Sequence, residues 1–416
     1  MNDANGEERC APRLCIESDM TTSNHQFPRG FTGSTASAAI KKAGRQDMAL
    51  IVCEDGAAAA GMFTRNLVCA APLQVSKRHL LASRGHANAV LINSGCANAA
   101  TGAEGLSRAS ECVDAVAREL GVAAESVLVN STGVIGVQLP IERMLPAIPA
   151  MVRSLAGGDL LPVAQAIMTT DTYHKTASVE VEHEGRRCRV SGMAKGAGMI
   201  HPDMSPPQAT MISILMTDAE VEPAALQAML ARAVDQSFHR ISIDGDTSTN
   251  DSVFALASGK AGPFPSHLVE QALRQVAKEL ALLVVRDGEG FERGIEVTVT
   301  GARTQQDALT VARTIAMSLL VRCAVTGGDP NWGRILAAAG RSGVDLRVEE
   351  LHLSVGGVDL FREGAPAPTP LAERERVFRQ PLVEIRLDLG QGQASDAFFS
   401  CGLTTEYVKL NADYTT

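Results

Sequence analysis

The sequence predicts an α/β protein, and three observations support that class. Short apolar segments bounded by turn residues indicate buried strands. Two downstream segments repeat apolar residues at helical spacing, which is typical of amphipathic helices. The 37 glycines and 18 prolines among 416 residues follow no fixed period, so they exclude a collagen-like chain and fit the many loops of an α/β protein.

Four apolar segments are the predicted strands, and two of them end in polar loops. They span residues 47–53, 89–93, 126–130 and 211–217, with a turn predicted at 54–56. The second strand runs into the loop NSGCANAATG at 93–102, and the third into Ser131-Thr132-Gly133. Strands that each deliver a polar loop at their carboxyl end suggest a site assembled at one edge of a sheet.

Three helices and a hairpin complete the predicted elements. One helix is predicted over 107–120, and alternation around His183-Glu184-Gly185 predicts a hairpin over 178–190. Two further helices each have one apolar face. The faces are Leu268, Ala272, Leu273, Val276, Ala277 and Leu280 in one helix, and Ala308, Leu309, Ala312, Ile315, Ala316 and Leu319 in the other.

Composition and charge exclude several classes of protein. With 45% apolar and 20% charged residues, the chain can build a sizeable core in two or three domains. The net charge of −9 argues against a nucleic-acid partner, and no apolar run is long enough to predict a membrane span. The nine cysteines are scattered without CxxC spacing, which predicts reduced thiols in a cytoplasmic protein.

Local motifs give no support for a metal or a nucleotide cofactor. The histidines form no HExxH pattern, and no GxSxG elbow is present. The segment KGAG at 195–198 matches no phosphate loop, so by itself it predicts a tight turn. The acidic segment DGDTSTND at 244–251 lacks the glycine and glutamate of an EF-hand, since Thr249 and Ala255 stand there, and it predicts a polar loop that bonds its own backbone.

Thr210 is the most informative single residue. It stands between a segment with three prolines and the first residue of an apolar strand, in Ala209-Thr210-Met211. Cleavage before Thr210 would pair its hydroxyl with its own α-amine, whose unperturbed pKa of roughly 7.7–8.0 suits a base near neutrality. On the residues alone, however, an ordinary β-branched strand residue is the simpler interpretation.

A set of motifs shared in order along the chain resembles the glutamate N-acetyltransferase family, also called ornithine acetyltransferase (ArgJ). The resemblance covers nearly all of the chain from Phe27. The motifs are PRGF at 28–31, AAGMFTRN at 59–66, NSGCANAATG at 93–102, NSTGVIG at 130–136, IMTTDT at 167–172, KGAGMIHPDM at 195–204, ATMISILMTDA at 209–219, DGDTSTND at 244–251, RDGEG at 286–290, DPNWGRI at 329–335 and EYVKLNADYTT at 406–416.

The resemblance implies a fold, a processing step and a reaction. The expected fold is an α+β layered sandwich of the ArgJ/DmpA-like self-processing type with a smaller C-terminal α/β domain. The precursor would cleave itself between Ala209 and Thr210 into an α chain, 1–209, and a β chain, 210–416, assembled as α2β2. The reaction would move acetyl from N2-acetyl-L-ornithine to L-glutamate in ping-pong fashion, without a cofactor and with acetyl-CoA as a possible further donor.

The same resemblance implies roles for individual residues. Thr210 matches the nucleophile, and Thr132 with Gly133 matches the oxyanion-hole pair, whose donors would stabilise a tetrahedral oxyanion. The implied substrate-binding positions are Lys195, Glu289, Asn411 and Thr416, together with one threonine of the TTDT segment. For that threonine, Thr172 is the first choice and Thr170 the second.

The domain prediction divides the chain at the RDGEG motif. Residues 1–26 are predicted to be a mobile tail, 27–290 a layered catalytic domain and 291–416 a smaller domain. One departure from the family pattern stands beside the cleavage site. The family's KGSGMIAPNM usually runs directly into ATM, whereas here Ser205-Pro206-Pro207-Gln208 intervenes.

Two other functions fit the same sequence. In one, the fold carries an N-terminal-nucleophile amidohydrolase or an acyltransferase of specialised metabolism, with water or another acceptor resolving the acyl-enzyme. In the other, the inserted residues abolish cleavage and the chain is an unprocessed, non-catalytic binding protein. The fragments present in the purified protein and the need for glutamate separate these functions.

Overall fold

The computed structural model describes residues 25–40, 42–205 and 211–413. Its strands are β1 (Phe31–Ala36), β2 (Met48–Thr64), β3 (His86–Cys96), β4 (Val127–Val134), β5 (Lys175–His183), β6 (Arg186–Lys195), β7 (Met204–Ser205), β8 (Ile212–Glu220), β9 (Ser252–Pro263), β10 (Gly294–Ala302), β11 (His352–Val355), β12 (Val358–Arg362), β13 (Ala365–Pro366), β14 (Leu382–Asp388) and β15 (Ala394–Cys401). Its helices are α1 (Ala71–Ala82), α2 (Gly102–Leu120), α3 (Ile141–Met144), α4 (Ile148–Arg153), α5 (Leu161–Ala166), α6 (Pro223–Asp235), α7 (Ser266–Arg286), α8 (Gln305–Ala316), α9 (Leu319–Gly327), α10 (Trp332–Gly340), α11 (Leu371–Phe378) and α12 (Thr405–Asp413).

The strands form two sheets, which divides the α/β architecture into two layered parts. The first sheet has the order β4-β3-β2-β9-β8-β6-β5, with β1 and β7 also paired to β2. The second has the order β13-β12-β11-β14-β10-β15. Strands of the first sheet end at Pro263 and those of the second begin at Gly294, with α7 between them. The assignment of 27–290 and 291–416 as separate domains stays a prediction.

Helices cover the sheets because each has one apolar face. Val276 and Leu280 of α7 lie in one buried cluster with Val190 of β6 and Leu215 of β8. Ile315 of α8 lies in a second cluster with the apolar residues of β10 and β14. Removing this apolar surface from water stabilises the layers by about 25 cal/mol for each Å² buried.

The four predicted strands are present, as are the hairpin and the helices, with differences at their ends. Residues 54–56 do not end a strand, because β2 continues through them with a shift of register between Val52 and Ala57. The helix predicted from 107 begins at Gly102. Leu319 does not belong to the apolar face of α8: that helix ends at Ala316, and Leu319 begins α9 with an exposed side chain.

The predicted tail lies mostly outside the described residues, which begin at His25. Gln26, the last residue of the predicted tail, pairs with Asp159 in an isolated β-bridge. Among the described residues, no single helix has the length and apolar character needed to cross a membrane. The helices Gln305–Ala316 and Leu319–Gly327 pass that test only as a pair bent by 57°.

Candidate functional site

The two polar loops predicted at one sheet edge lie side by side. β3 and β4 are parallel neighbours, and their register places Ser94 opposite Thr132 and Gly95 opposite Gly133. Gly133 has φ +130°, and a Cβ built there would lie 2.3 Å from the carbonyl carbon of Gly95. Only glycine fits this approach, so the two strands come unusually close at Gly95 and Gly133, near their carboxyl ends. These two residues, with the loops that follow β3 and β4, are called the double loop below.

Buried polar side chains hold this double loop in place through hydrogen bonds. The Asn250 amide donates to the backbone oxygens of Ala97, at 2.6 Å, and Ser131, at 2.8 Å, and so ties both loops to the start of β9. The Ser131 hydroxyl donates to Asn93 Oδ1 at 2.6 Å. Because each of these buried groups is hydrogen-bonded, the loops are held in one arrangement.

The acidic segment 244–251 bonds its own backbone, as predicted, and also a neighbouring loop. Asp246 N donates to Asp244 Oδ1 at 3.2 Å within the segment. The Asp244 carboxylate also accepts from the backbone amides of Met199, at 2.6 Å, and Ile200, at 2.8 Å. The segment therefore anchors the glycine-rich stretch after β6 beside the double loop.

A cavity of about 120 Å³ opens where these loops meet. Five of the residues predicted for the site line it, contributed by four separate parts of the chain. The lining residues are Ala97, Thr132, Gly133, Ile135, Thr169, Thr170, Lys195, Gly196, Gly198, Met199, Ile200, Ile212, Ser248, Asn250, Glu289 and Asn411.

Lys195 lies at the end of β6 with its ammonium group in this cavity wall. Its Nζ donates to Thr169 Oγ1 at 2.7 Å and to Thr132 Oγ1 at 3.3 Å. Burial lowers the pKa of Lys195, and the nearby Asp171 carboxylate opposes that shift. A buried, hydrogen-bonded ammonium group is suited to bind a carboxylate.

Glu289 and Asn411 also line the cavity. The Asn411 amide donates to Glu289 Oε2 at 2.9 Å, and Glu289 N donates to the backbone oxygen of Ala197 at 2.9 Å. Gly198 leaves room for the carboxylate, since a Cβ there would lie 2.6 Å from Glu289 Oε2. The cavity thus presents a cation and a carboxylate, which complement the two charges of an amino acid.

Thr172, the first choice in the TTDT segment, is not among the residues that line this cavity, and its role in substrate binding stays a prediction. Both its backbone N–H and its hydroxyl donate to the Asp287 carboxylate. Thr170, the second choice, lines the cavity, and so does Thr169, which the sequence reasoning missed. The pair of adjacent threonines was the available signal, but the residue pattern does not show which hydroxyls face inward.

Three predicted residues, Ala209, Thr210 and Thr416, lie outside the described residues. Met211, which follows Thr210 in the chain, accepts a hydrogen bond from Ser252 N, and the next residue, Ile212, lines the cavity. Of the inserted residues, Ser205 pairs with Phe63 on β2, and 206–208 lie outside the described residues. The described part of the chain holds no group of three or more histidine, cysteine or acidic side chains that could bind a metal.

The layered α/β fold and this cavity define a class of enzyme. A tight glycine loop suited to an oxyanion stands beside a cation–carboxylate pair suited to an amino acid, and the strand that follows Thr210 starts at the same point. That combination is what an acyltransferase acting on amino acids requires.

Comparison with known proteins identifies the family. The model of the ArgJ family matches residues 32–416. The "Arginine biosynthesis bifunctional protein ArgJ" of Parasynechococcus marenigrum is 44% identical over 390 residues, covering 94% of each chain. The protein of the same name from Thermosynechococcus vestitus is 44% identical, over 93% of this chain and 97% of its own. This chain therefore belongs to the ArgJ family, and it is an acetyltransferase of arginine biosynthesis.

A solved structure is also similar over part of the chain. It is the ornithine acetyltransferase of Mycobacterium tuberculosis complexed with ornithine, 38% identical, with a TM-score of 0.41. The match covers 44% of this chain and 96% of that chain.

Proposed function

We propose that the chain moves an acetyl group from N2-acetyl-L-ornithine to L-glutamate through acetyl-Thr210, after cleaving its own Ala209–Thr210 bond. The observation that carries this proposal is the composition of one cavity. It brings Thr132, Gly133, Lys195 and Glu289 to the beginning of β8, the strand that follows Thr210 in the chain.

In the first half-reaction, the Thr210 oxygen attacks the acetyl carbonyl carbon of acetylornithine. The hydroxyl proton passes to the α-amine of Thr210, whose unperturbed pKa of roughly 7.7–8.0 makes it a base near neutrality. Donors at Thr132 and Gly133 stabilise the oxyanion, an effect worth about 10²–10³ in rate for each donor. The C–N bond then breaks, the proton goes to the leaving α-amine, and ornithine departs.

In the second half-reaction, the α-amine of glutamate attacks the acetyl-threonine ester. The C–O bond breaks, the proton returns to the Thr210 oxygen, and N-acetylglutamate leaves. Donor and acceptor share an α-carboxylate, through which one cavity can hold both, whereas their side-chain ends carry opposite charges, an ammonium group in ornithine and a carboxylate in glutamate. Lys195 binds a carboxylate, and Glu289, held by Asn411, binds an ammonium group.

The proposal also covers the assembly, the compartment, the cofactors and the partners of the enzyme. The two chains assemble as α2β2 in the cytoplasm, and Thr416 at the C-terminus contributes to substrate binding. No cofactor takes part, and acetyl-CoA can replace acetylornithine as the donor. The substrates are small molecules, without a nucleic-acid or membrane partner.

Processing and transfer are tested together with the variant Thr210→Ala. Wild-type protein should give two fragments on a denaturing gel, and N-terminal sequencing should find one that begins at Thr210. Thr210→Ala should stay a single uncut chain without transferase activity, because it lacks the hydroxyl that performs both steps. Ser213→Ala removes a hydroxyl from the same strand and is the matched control, expected to cut and to transfer normally.

Three outcomes contradict this function. A wild-type protein that stays uncut favours the non-catalytic function. Cleavage at the same bond in Thr210→Ala removes that residue as the nucleophile. Release of free acetate from acetylornithine at the same rate with and without glutamate identifies an amidohydrolase in place of a transferase.

A further inference from the structure

A chain of four buried charged side chains lies behind the cavity. Lys175 Nζ lies 2.7 Å from Asp171 Oδ1 and also contacts the Asp287 carboxylate. Lys195 Nζ lies 3.8 Å from Asp171 Oδ2. The first three side chains are at most 1% exposed and that of Lys195 is 10% exposed, so the two ammonium groups and two carboxylates balance inside the protein.

Asp171 connects the two segments that form one wall of the cavity. Its Oδ1 accepts from Gly196 N at 2.7 Å, directly after Lys195, and its Oδ2 accepts from Thr169 N at 2.9 Å. Thr169 in turn accepts the shorter of the two hydrogen bonds from Lys195. One carboxylate therefore fixes the backbone directly after the lysine and the backbone of the threonine that the lysine touches.

Asp287, at the other end of this series of charges, belongs to the turn that carries Glu289. Asp287 accepts from Thr172 N and stands two residues before Glu289, across Gly288. The buried charges thus join the cation of the cavity to the turn that carries its carboxylate. Buried ions are costly unless they are paired and hydrogen-bonded, and each of these four has a partner.

We propose that Asp171 is a positioning residue for acyl transfer, which keeps Lys195 protonated and directed at the cavity so that its ammonium group binds the substrate carboxylate. This role rests on the proposed function for its substrate, but the charge on Lys195 can be measured without any turnover. Asp171 does not touch the substrate and acts through Lys195.

Among the charged groups that raise the pKa of Lys195, Asp171 has the largest effect. Burial lowers the pKa of Lys195, and the positive charge of Lys175 lowers it further, whereas Asp171, Asp251 and Glu289 raise it, Asp171 the most. Burial alone would also raise the pKa of Asp171, but Lys195 and Lys175 together lower it well below its usual range. Asp171 is therefore ionised at neutral pH, and its loss removes the largest effect that opposes burial at Lys195.

The direct test is the titration of Lys195 in protein labelled with ¹³C-lysine, with its NMR signal assigned by Lys195→Arg. In Asp171→Asn, the titration midpoint should fall by at least one pH unit, a tenfold change in proton affinity. Asp287→Asn is the matched control, because it removes a carboxylate from the same buried chain that does not contact Lys195. An equal fall in both variants, or no fall in Asp171→Asn, overturns the proposal.

Activity gives a second readout that a purely structural role would not move. In Asp171→Asn, KM for acetylornithine should rise about tenfold at pH 8 and recover as the pH is lowered, because Lys195 regains its proton, while kcat changes less. A loss of kcat with a pH-independent KM contradicts the role. If Asp171→Asn does not fold, the wild-type titration decides, since a neutral Lys195 at pH 7 overturns the proposal. Absent transferase activity in the wild type would instead refute the proposed function.

Discussion

The two sheets differ in what their strands bury. In the first sheet, polar residues such as Asn93, Asn130 and Ser131 lie fully buried near the carboxyl ends of β3 and β4. In the second, the described strands β10 to β14 bury only apolar side chains, among them Leu353, Ile385 and Leu387. The first sheet carries the cavity, and the second packs around an apolar core.

This contrast shows that the buried polar groups lie close to the cavity. A buried polar group is destabilising unless it is hydrogen-bonded, and each one needs particular partners. The amides and hydroxyls under the double loop have such partners, and they fix the geometry that the reaction needs. Of the described residues after Gly294, Asn411 of α12 lines the cavity.

Among the substitutions that test the difference between the two sheets, Gly133→Ala should have the largest effect. A Cβ at 2.3 Å from the backbone of Gly95 must force the double loop apart, so we expect transfer to slow by about 10²–10³ or more, together with processing. The measurements are kcat and the fraction of cleaved chain. Gly136→Ala is the matched control, because Gly136 also has a positive φ, of +80°, but nothing within 4 Å of its Cβ position. Equal losses in the two variants would show that backbone strain, and not the loop contact, matters.

The sequence predicted the elements well because they depend on local patterns. Apolar runs and helical periodicity are properties of neighbouring residues, so the strands, the hairpin and α7 were found near their true positions. Leu319 was assigned to the wrong helix because the apolar spacing continues across the break after Ala316. The pattern also could not show that β2 runs on past 54–56, because turn residues there coincide with a shift of register inside the strand and not with its end.

The site was predictable only where its residues fall in recognisable motifs. Thr132, Gly133, Lys195, Glu289 and Asn411 were chosen through the family resemblance, and the structure brings them to one cavity. The choice among three nearby threonines needed the side-chain directions, which depend on Asp287, 115 residues after Thr172. No sequence pattern linked Asp171 to Lys195 either, because their contact depends on the meeting of distant segments.

Leu387→Ala should separate stability from activity. Leu387 is fully buried in the second sheet, and its truncation should reduce the free energy of unfolding by about 2–5 kcal/mol, seen as a lower apparent Tm. The kcat of the folded, processed enzyme should stay close to that of the wild type. Leu371→Ala, at an exposed leucine, is the control for both measurements. A fall in kcat at a temperature where the variant is fully folded would show that the second sheet also sets the geometry of the cavity.

The smallest expected effect, with the opposite sign, is that of Asp251→Asn. Asp251 is fully buried, and burial raises its pKa well above the usual value. Since its folded-state pKa exceeds the unfolded one of about 3.9, its contribution to stability is complete below that pH and is lost as the pH rises. Asp251→Asn should therefore be more stable than the wild type at pH 7, by about 1–3 kcal/mol, with a smaller difference near pH 4.

Asp171→Asn, which removes a fully paired carboxylate, should be less stable at pH 7, and apparent Tm values between pH 4 and 8 compare the two. A lower Tm for Asp251→Asn at pH 7 would mean that this carboxylate stabilises the fold despite its burial.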